Sequence, residues 1–243
     1  MLASSNPVMN EKAFAEYASW SREESMTING TINKTFALLF LTVLGAMLTW
    51  RNPASFAPWM LPCIIVSLGV AVALAFKRTW APFLAPVYAL CQGVFLGAVS
   101  SMMNAAYPGI VGQAVLGTFT VMFVMLGAYR VGWLRATPLF TRIIALATMG
   151  IFLVYMVNMV MGMFGKQMAF ITASSPLGIV FSLFVCGLAA FNFIMDFHMI
   201  EQGAQAGAPK YMEWYGAFGL MVTLIWLYIE ILRLLSKLQS RRD

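Results

Sequence analysis

Along its length the chain alternates long apolar runs with short polar breaks. Seven runs stand out, at approximately 35–50, 59–76, 83–103, 110–131, 143–164, 176–197 and 214–232. Crossing the hydrocarbon core of a bilayer takes roughly 20 apolar residues in a helix. The pattern therefore predicts an all-α membrane protein, a bundle of seven transmembrane helices. The spans use more than half the chain and leave no room for a second folded domain. Three regions are expected: a polar tail over 1–33, a transmembrane domain over 34–238 and a basic end over 239–243. The tail carries Asn10, Glu11, Lys12, Glu16, Arg22, Glu23 and Glu24 and lacks the apolar core of a cleavable signal. The first span is thus expected to act as its own insertion signal. Phe14, Tyr17 and Trp20 fall on one helical face, which either rests on the membrane surface or belongs to a solvated tail.

Composition agrees. Of 243 residues, 61% are hydrophobic and 10% charged, against about 45–50% and 25% in soluble domains. The net charge of +6 does not point to nucleic acid, because the bases sit at span ends, where they set topology. With the amino terminus inside, the inner side holds Lys12, Arg22, Lys34, Lys77, Arg78, Arg130, Arg135, Arg142 and Lys210. The outer loops then hold Arg51 and Lys166. Seven crossings leave Arg233, Lys237, Arg241 and Arg242 outside, a conflict that a re-entrant seventh segment would remove.

Candidate chemistry begins with acids in apolar surroundings. A carboxylate in hydrocarbon costs ~2.5–3.5 kcal/mol on insertion scales, which makes Asp196 and Glu230 functional candidates. Asp196 would lie near the inner end of the sixth span, on the side of Lys77, Arg78 and Arg130. The helix dipole there opposes a negative charge unless a base compensates. A pairing with those bases, broken by protonation, would make a pH-sensitive latch. Glu201, Lys210 and Glu213 fall in the following loop. Glu213 reads either as an acid at a helix amino terminus or as a partner for Asp196. Glu230 has Arg233 at i+3, a ready ion pair. The two glutamates lie about 25 Å apart along a helix, so both cannot touch Asp196.

Other features read as structure. Ala89, Gly93, Gly97 and Ser101 in the third span, and Gly178, Ser182, Cys186 and Ala190 in the sixth, form small-residue ridges that let backbones approach. Asn192 lies four residues before Asp196, on the same helical face. Gln92 and Asn158 either bridge helices or line a pore. Pro62, Pro86 and Pro176 are expected within about a turn of helix starts. Cys63, Cys91 and Cys186 are read as buried free thiols.

Catalytic constellations are missing. His198 is the only histidine, and Asp196, His198 and Glu201 at i, i+2 and i+5 do not converge on one face. There is no GxSxG and no Gly-rich phosphate loop. The expectation is no enzyme, no metal and no cofactor.

Three stretches carry a resemblance: LAPVYALCQGVFLGAVSSMM (84–103), FNFIMDFHMIEQG (191–203) and EWYGAFGLMVTLIWLYIEILRLLSKL (213–238). In order and placement they resemble the Bax inhibitor-1 family, ion-leak membrane proteins, and within it a bacterial branch with the EQGAQAGAPKYMEWY connection. The resemblance implies a multi-pass protein of the bacterial inner (plasma) membrane, and the excess of bases on the inner side predicts a cytoplasmic amino terminus. In that family, aspartates on the sixth and seventh helices form a proton-sensing pair that gates a calcium leak, and an arginine ending the second helix latches one of them. Asp196 matches the sixth-helix aspartate, and Lys77 or Arg78 the latch. The seventh-helix position holds Thr223, a departure: a hydroxyl can hydrogen-bond a carboxylate but cannot share a proton as a second acid does. The resemblance implies a pH-modulated passive leak for calcium or protons. The alternative is a regulatory binding protein, without flux, that modulates a membrane-anchored protease through its tail. The partners expected are membrane lipid, cations and, for the alternative, a membrane protein; nucleic acid is not expected.

Overall fold

A computed structural model of the chain describes residues 25–51, 53–166, 168, 171 and 173–241. Among them are seven helices long and apolar enough to cross a membrane: α1 (Ile28–Trp50), α2 (Pro53–Phe76), α3 (Ala81–Ala106), α4 (Ile110–Val131), α5 (Pro138–Met163), α6 (Pro176–Gln205) and α7 (Met212–Gln239). A 3₁₀ turn, Arg78–Trp80, joins α2 to α3. The protein is therefore an all-α, multi-pass membrane bundle. The surface face suggested by Phe14, Tyr17 and Trp20 lies outside the described residues.

Local sequence explains the helix ends. Thr27, Thr137 and Ser175 cap α1, α5 and α6, each accepting a backbone N–H three residues on. Pro138 and Pro176 follow their caps, where a missing N–H costs nothing. Gly132 stops α4 at φ +81°, a conformation open to glycine. Pro62 corrects an expectation. It lies well inside α2 together with Pro58, because α2 starts at Pro53 rather than near 59.

α7 is the axis of the bundle. It packs against α1, α3, α4 and α6, whereas α5 leans mainly on α6. Outward faces stay apolar, as with Phe36, Phe40 and Met47 on α1 and Leu139, Leu146 and Leu153 on α5, because their solvent is hydrocarbon. The third-span ridge does what its spacing implies. Gly93 and Gly97 meet α1 backbone at Thr42, Gly45 and Ala46, and Thr49 Oγ1 donates to the Val94 carbonyl at 3.1 Å.

Further boundaries differ from expectation. α6 runs on to Gln205 and α7 starts at Met212, so Glu201 and Glu213 lie on helices and not in the loop between them. α1 begins at Ile28 rather than beyond 33, because Thr27 caps it and Ser25 pairs with Pro209 in a lone antiparallel bridge. α7 continues to Gln239 as one unbroken helix of 28 residues, or about 42 Å at 1.5 Å per residue. The three cysteines are free but half-buried rather than buried.

Candidate functional site

The end of the bundle where α1 and α7 begin and α6 finishes (the near end) gathers three polar clusters. Asp196 of α6 forms the first. Its Oδ2 accepts the Thr223 hydroxyl of α7 at 2.6 Å. The carboxylate lines an open cavity of about 250 Å³ with Met26, Tyr215, Gly216, Gly219 and Thr223. Gly219 leaves the α7 backbone bare beside it: a Cβ there would stand 3.9 Å from Asp196 Oδ1. So the structure brings Thr223 to Asp196.

The bases do not reach it. Among the described residues the ion pairs are Lys34–Glu213 and Glu230–Arg233, so the expected latch of Lys77 or Arg78 on Asp196 is not formed. Each cation sits over a ring instead: Lys77 Nζ lies 4.7 Å from the Trp80 centroid, and the Arg78 guanidinium 5.4 Å from that of Tyr215. Tyr215 is a wall of the Asp196 cavity, so Arg78 stands one ring removed from the carboxylate.

Glu213 forms the second cluster and is also not a partner of Asp196. Its Oε1 accepts both the backbone N–H and the hydroxyl of Thr27, each at 2.9 Å, and its Oε2 accepts Lys34 Nζ. The side chain is wholly buried. A charge in such a place needs a counter-ion and filled lone pairs, and α1 supplies both. Met26 N–H donates to the Ala208 carbonyl at 2.6 Å, so the segment before α1 is strapped to the α6–α7 loop.

The third cluster joins α4 to α6. Tyr129 hydroxyl donates to Glu201 Oε2 and lies 3.2 Å from His198 Nδ1. His198 and Glu201 thus converge on Tyr129, while Asp196 turns to α7. Asn192 also parts from Asp196, donating to Thr148 of α5 at 3.0 Å.

At the far end, Glu230 is buried and accepts Tyr155 hydroxyl at 2.8 Å and Arg233 Nη1 at 3.0 Å. Lys237, also buried, donates to the Gly178 carbonyl and to Ser182 at 3.0 and 2.9 Å. The sixth-span ridge here receives a lysine. Asn158 Oδ1 accepts Met168 N–H at 2.9 Å and so ties down the α5–α6 connection.

Sequence reading missed Thr27, Tyr129, Tyr155 and the structural use of Lys34 and Lys237. Lys237 had a signal: with Glu230 and Arg233 it completes an i, i+3, i+7 stripe. Tyr129 had none.

A search of curated proteins found no match. A family comparison did: the description "Bax inhibitor 1 like" matches residues 6–240. With seven membrane-spanning helices and a match over nearly its whole length, this chain belongs to the Bax inhibitor 1-like family.

Proposed function

We propose that this protein is a passive, pH-modulated cation leak of the bacterial inner membrane, carrying calcium or protons, with Asp196 as its gate. The observation that supports this reading best is the hydrogen bond from Thr223 to Asp196 at the wall of an open cavity between α6 and α7. An ionised acid in a membrane helix is expensive to keep, and here it faces a space instead of being buried in an ion pair.

The hydroxyl acts as the latch. While Asp196 is ionised, the bond from Thr223 is charge-assisted and roughly twice as strong as a neutral one. Protonation removes that advantage and loosens α6 from α7. The other titratable or charged groups near this point are Tyr215 in the cavity wall and Arg78 on its ring; Glu213 is held by Lys34. Flux should therefore rise as pH falls.

The test is calcium flux into liposomes bearing the purified protein, measured between about pH 5 and 8, with Asp196→Asn beside it. Wild type should leak faster on the acid side, and the variant should lose most of that pH response. A wild-type protein silent at every pH would sink the leak and leave the regulatory, flux-free alternative.

A further inference from the structure

α6 has 30 residues, about 45 Å of helix at 1.5 Å per residue, against a hydrocarbon core of roughly 30 Å. The helix is thus longer than that core is thick, its polar end runs from His198 to Gln205, and what holds that end fixes the register of Asp196. Tyr129 of α4 is the side chain that holds it. Its ring packs on Phe197, with centroids 6.0 Å apart, and edge-on to His198 at 6.4 Å. Its hydroxyl bonds Glu201 and lies at His198 Nδ1. One tyrosine thus grips three residues of α6 in the turn that follows Asp196.

We propose that Tyr129 is a positioning residue, which clamps the end of α6 to α4 through Glu201 and His198 and thereby keeps Asp196 against Thr223. The proposal rests on the reading of Asp196 as the gate, and adds a second latch on the opposite side of the same helix. Hydrogen-bond accounting makes it specific. A phenol has one proton to give, and an ionised carboxylate can only accept. With that proton on Glu201, the contact at 3.2 Å requires His198 to donate from Nδ1. The clamp therefore holds neutral His198 as the Nδ1–H tautomer, with Nε2 bare.

The test reads two nuclei and does not depend on flux. His198 is the only histidine, and Asp196 and Asp243 are the aspartates. Protein carrying ¹⁵N-histidine and aspartate labelled with ¹³C at the side-chain carboxyl, in lipid nanodiscs, therefore gives one imidazole and two carboxyl signals, with Asp196→Asn assigning Asp196. Wild type should show the Nδ1–H tautomer. Glu201→Ala should free the phenol proton to turn onto Nδ1 and switch His198 to Nε2–H, whereas Glu201→Gln, which keeps a carbonyl acceptor, should preserve the wild-type signal. Tyr129→Phe keeps the ring and removes the bond; it should move the Asp196 carboxyl signal toward its position in Thr223→Val. In liposomes that variant should leak several-fold faster at neutral pH.

An Nε2–H tautomer in wild type, or an Asp196 signal unmoved by Tyr129→Phe, overturns the clamp. Should Tyr129→Phe not fold, Glu201→Ala still gives the tautomer readout, and Glu201→Ala combined with His198→Ala, which leaves the phenol no bond to α6, gives the Asp196 readout. Correct spectra with a wild type silent in flux would defeat the leak and leave the clamp standing as a tie between α4 and α6.

Discussion

Gly30 of α1 and Glu213 of α7 lie so close that a methyl group on Gly30 would fall on the Glu213 carboxylate. That carboxylate cannot swing away cheaply, since Thr27 and Lys34 hold both its oxygens. Gly30→Ala should therefore destabilise the protein by about 1–3 kcal/mol, the usual cost of overpacking. Thermal denaturation in detergent, compared with Asn29→Ala on the neighbouring residue, would show it; equal behaviour of the two variants would refute the contact.

Removing one member of the Lys34–Glu213 pair should cost more than removing both. Glu213→Ala strands a largely buried ammonium, and breaking a buried pair typically costs 3–5 kcal/mol. Replacing both by apolar residues (Lys34→Met with Glu213→Leu) should recover much of the loss. A double-mutant cycle reads the coupling directly, and additive losses would mean that the two charges act independently.

Thr223→Val keeps the shape of the side chain and deletes the hydroxyl that Asp196 accepts. A hydrogen bond to a charged group contributes ~1.5–3 kcal/mol, so the latch should weaken by about tenfold or more. The expected outcome is a faster leak at neutral pH with a shallower pH profile. Thr223→Asp should steepen the profile instead, because two acids at this distance share a proton. Flux in liposomes against pH separates the cases, and identical profiles for all three proteins would exclude Thr223 from gating.

Gly93 and Gly97 should tolerate no side chain. A Cβ on either meets α1 backbone at Thr42 or Ala46, and backbone cannot move aside as a side-chain tip can. Gly97→Ala is expected to lower thermal stability and Gly97→Leu to prevent folding, while Gly127→Ala, in open space on α4, should be neutral. Monodispersity on gel filtration and a melting curve check all three.

Much of this was legible in the sequence, and particular residues show why. Apolar runs longer than a bilayer is thick declare themselves, and the GVFLG ridge needs only its four-residue spacing to place a tight helix contact. The resemblance set Thr223 at the place of the acid that pairs with the sixth-helix aspartate, and that is where it meets Asp196. The partners of charges did not follow. Lys77 and Arg78 looked like a latch because they share the side of Asp196, but side-of-membrane carries no azimuth, and each found a nearer aromatic ring. Glu213 was close to Asp196 in the chain yet is paired with α1, since helices far apart in sequence are joined by packing that no local pattern encodes. Tyr129 was invisible for the same reason.

The helix at the axis of the bundle is also made after the other six, which bears on biogenesis. While α1 through α6 are being threaded into the bilayer, the parts of α1, α3, α4 and α6 that α7 will cover have nothing to close upon. Lys34 meanwhile waits without its carboxylate. Until ribosome and translocon release α7, the nascent bundle lacks the helix that closes its core.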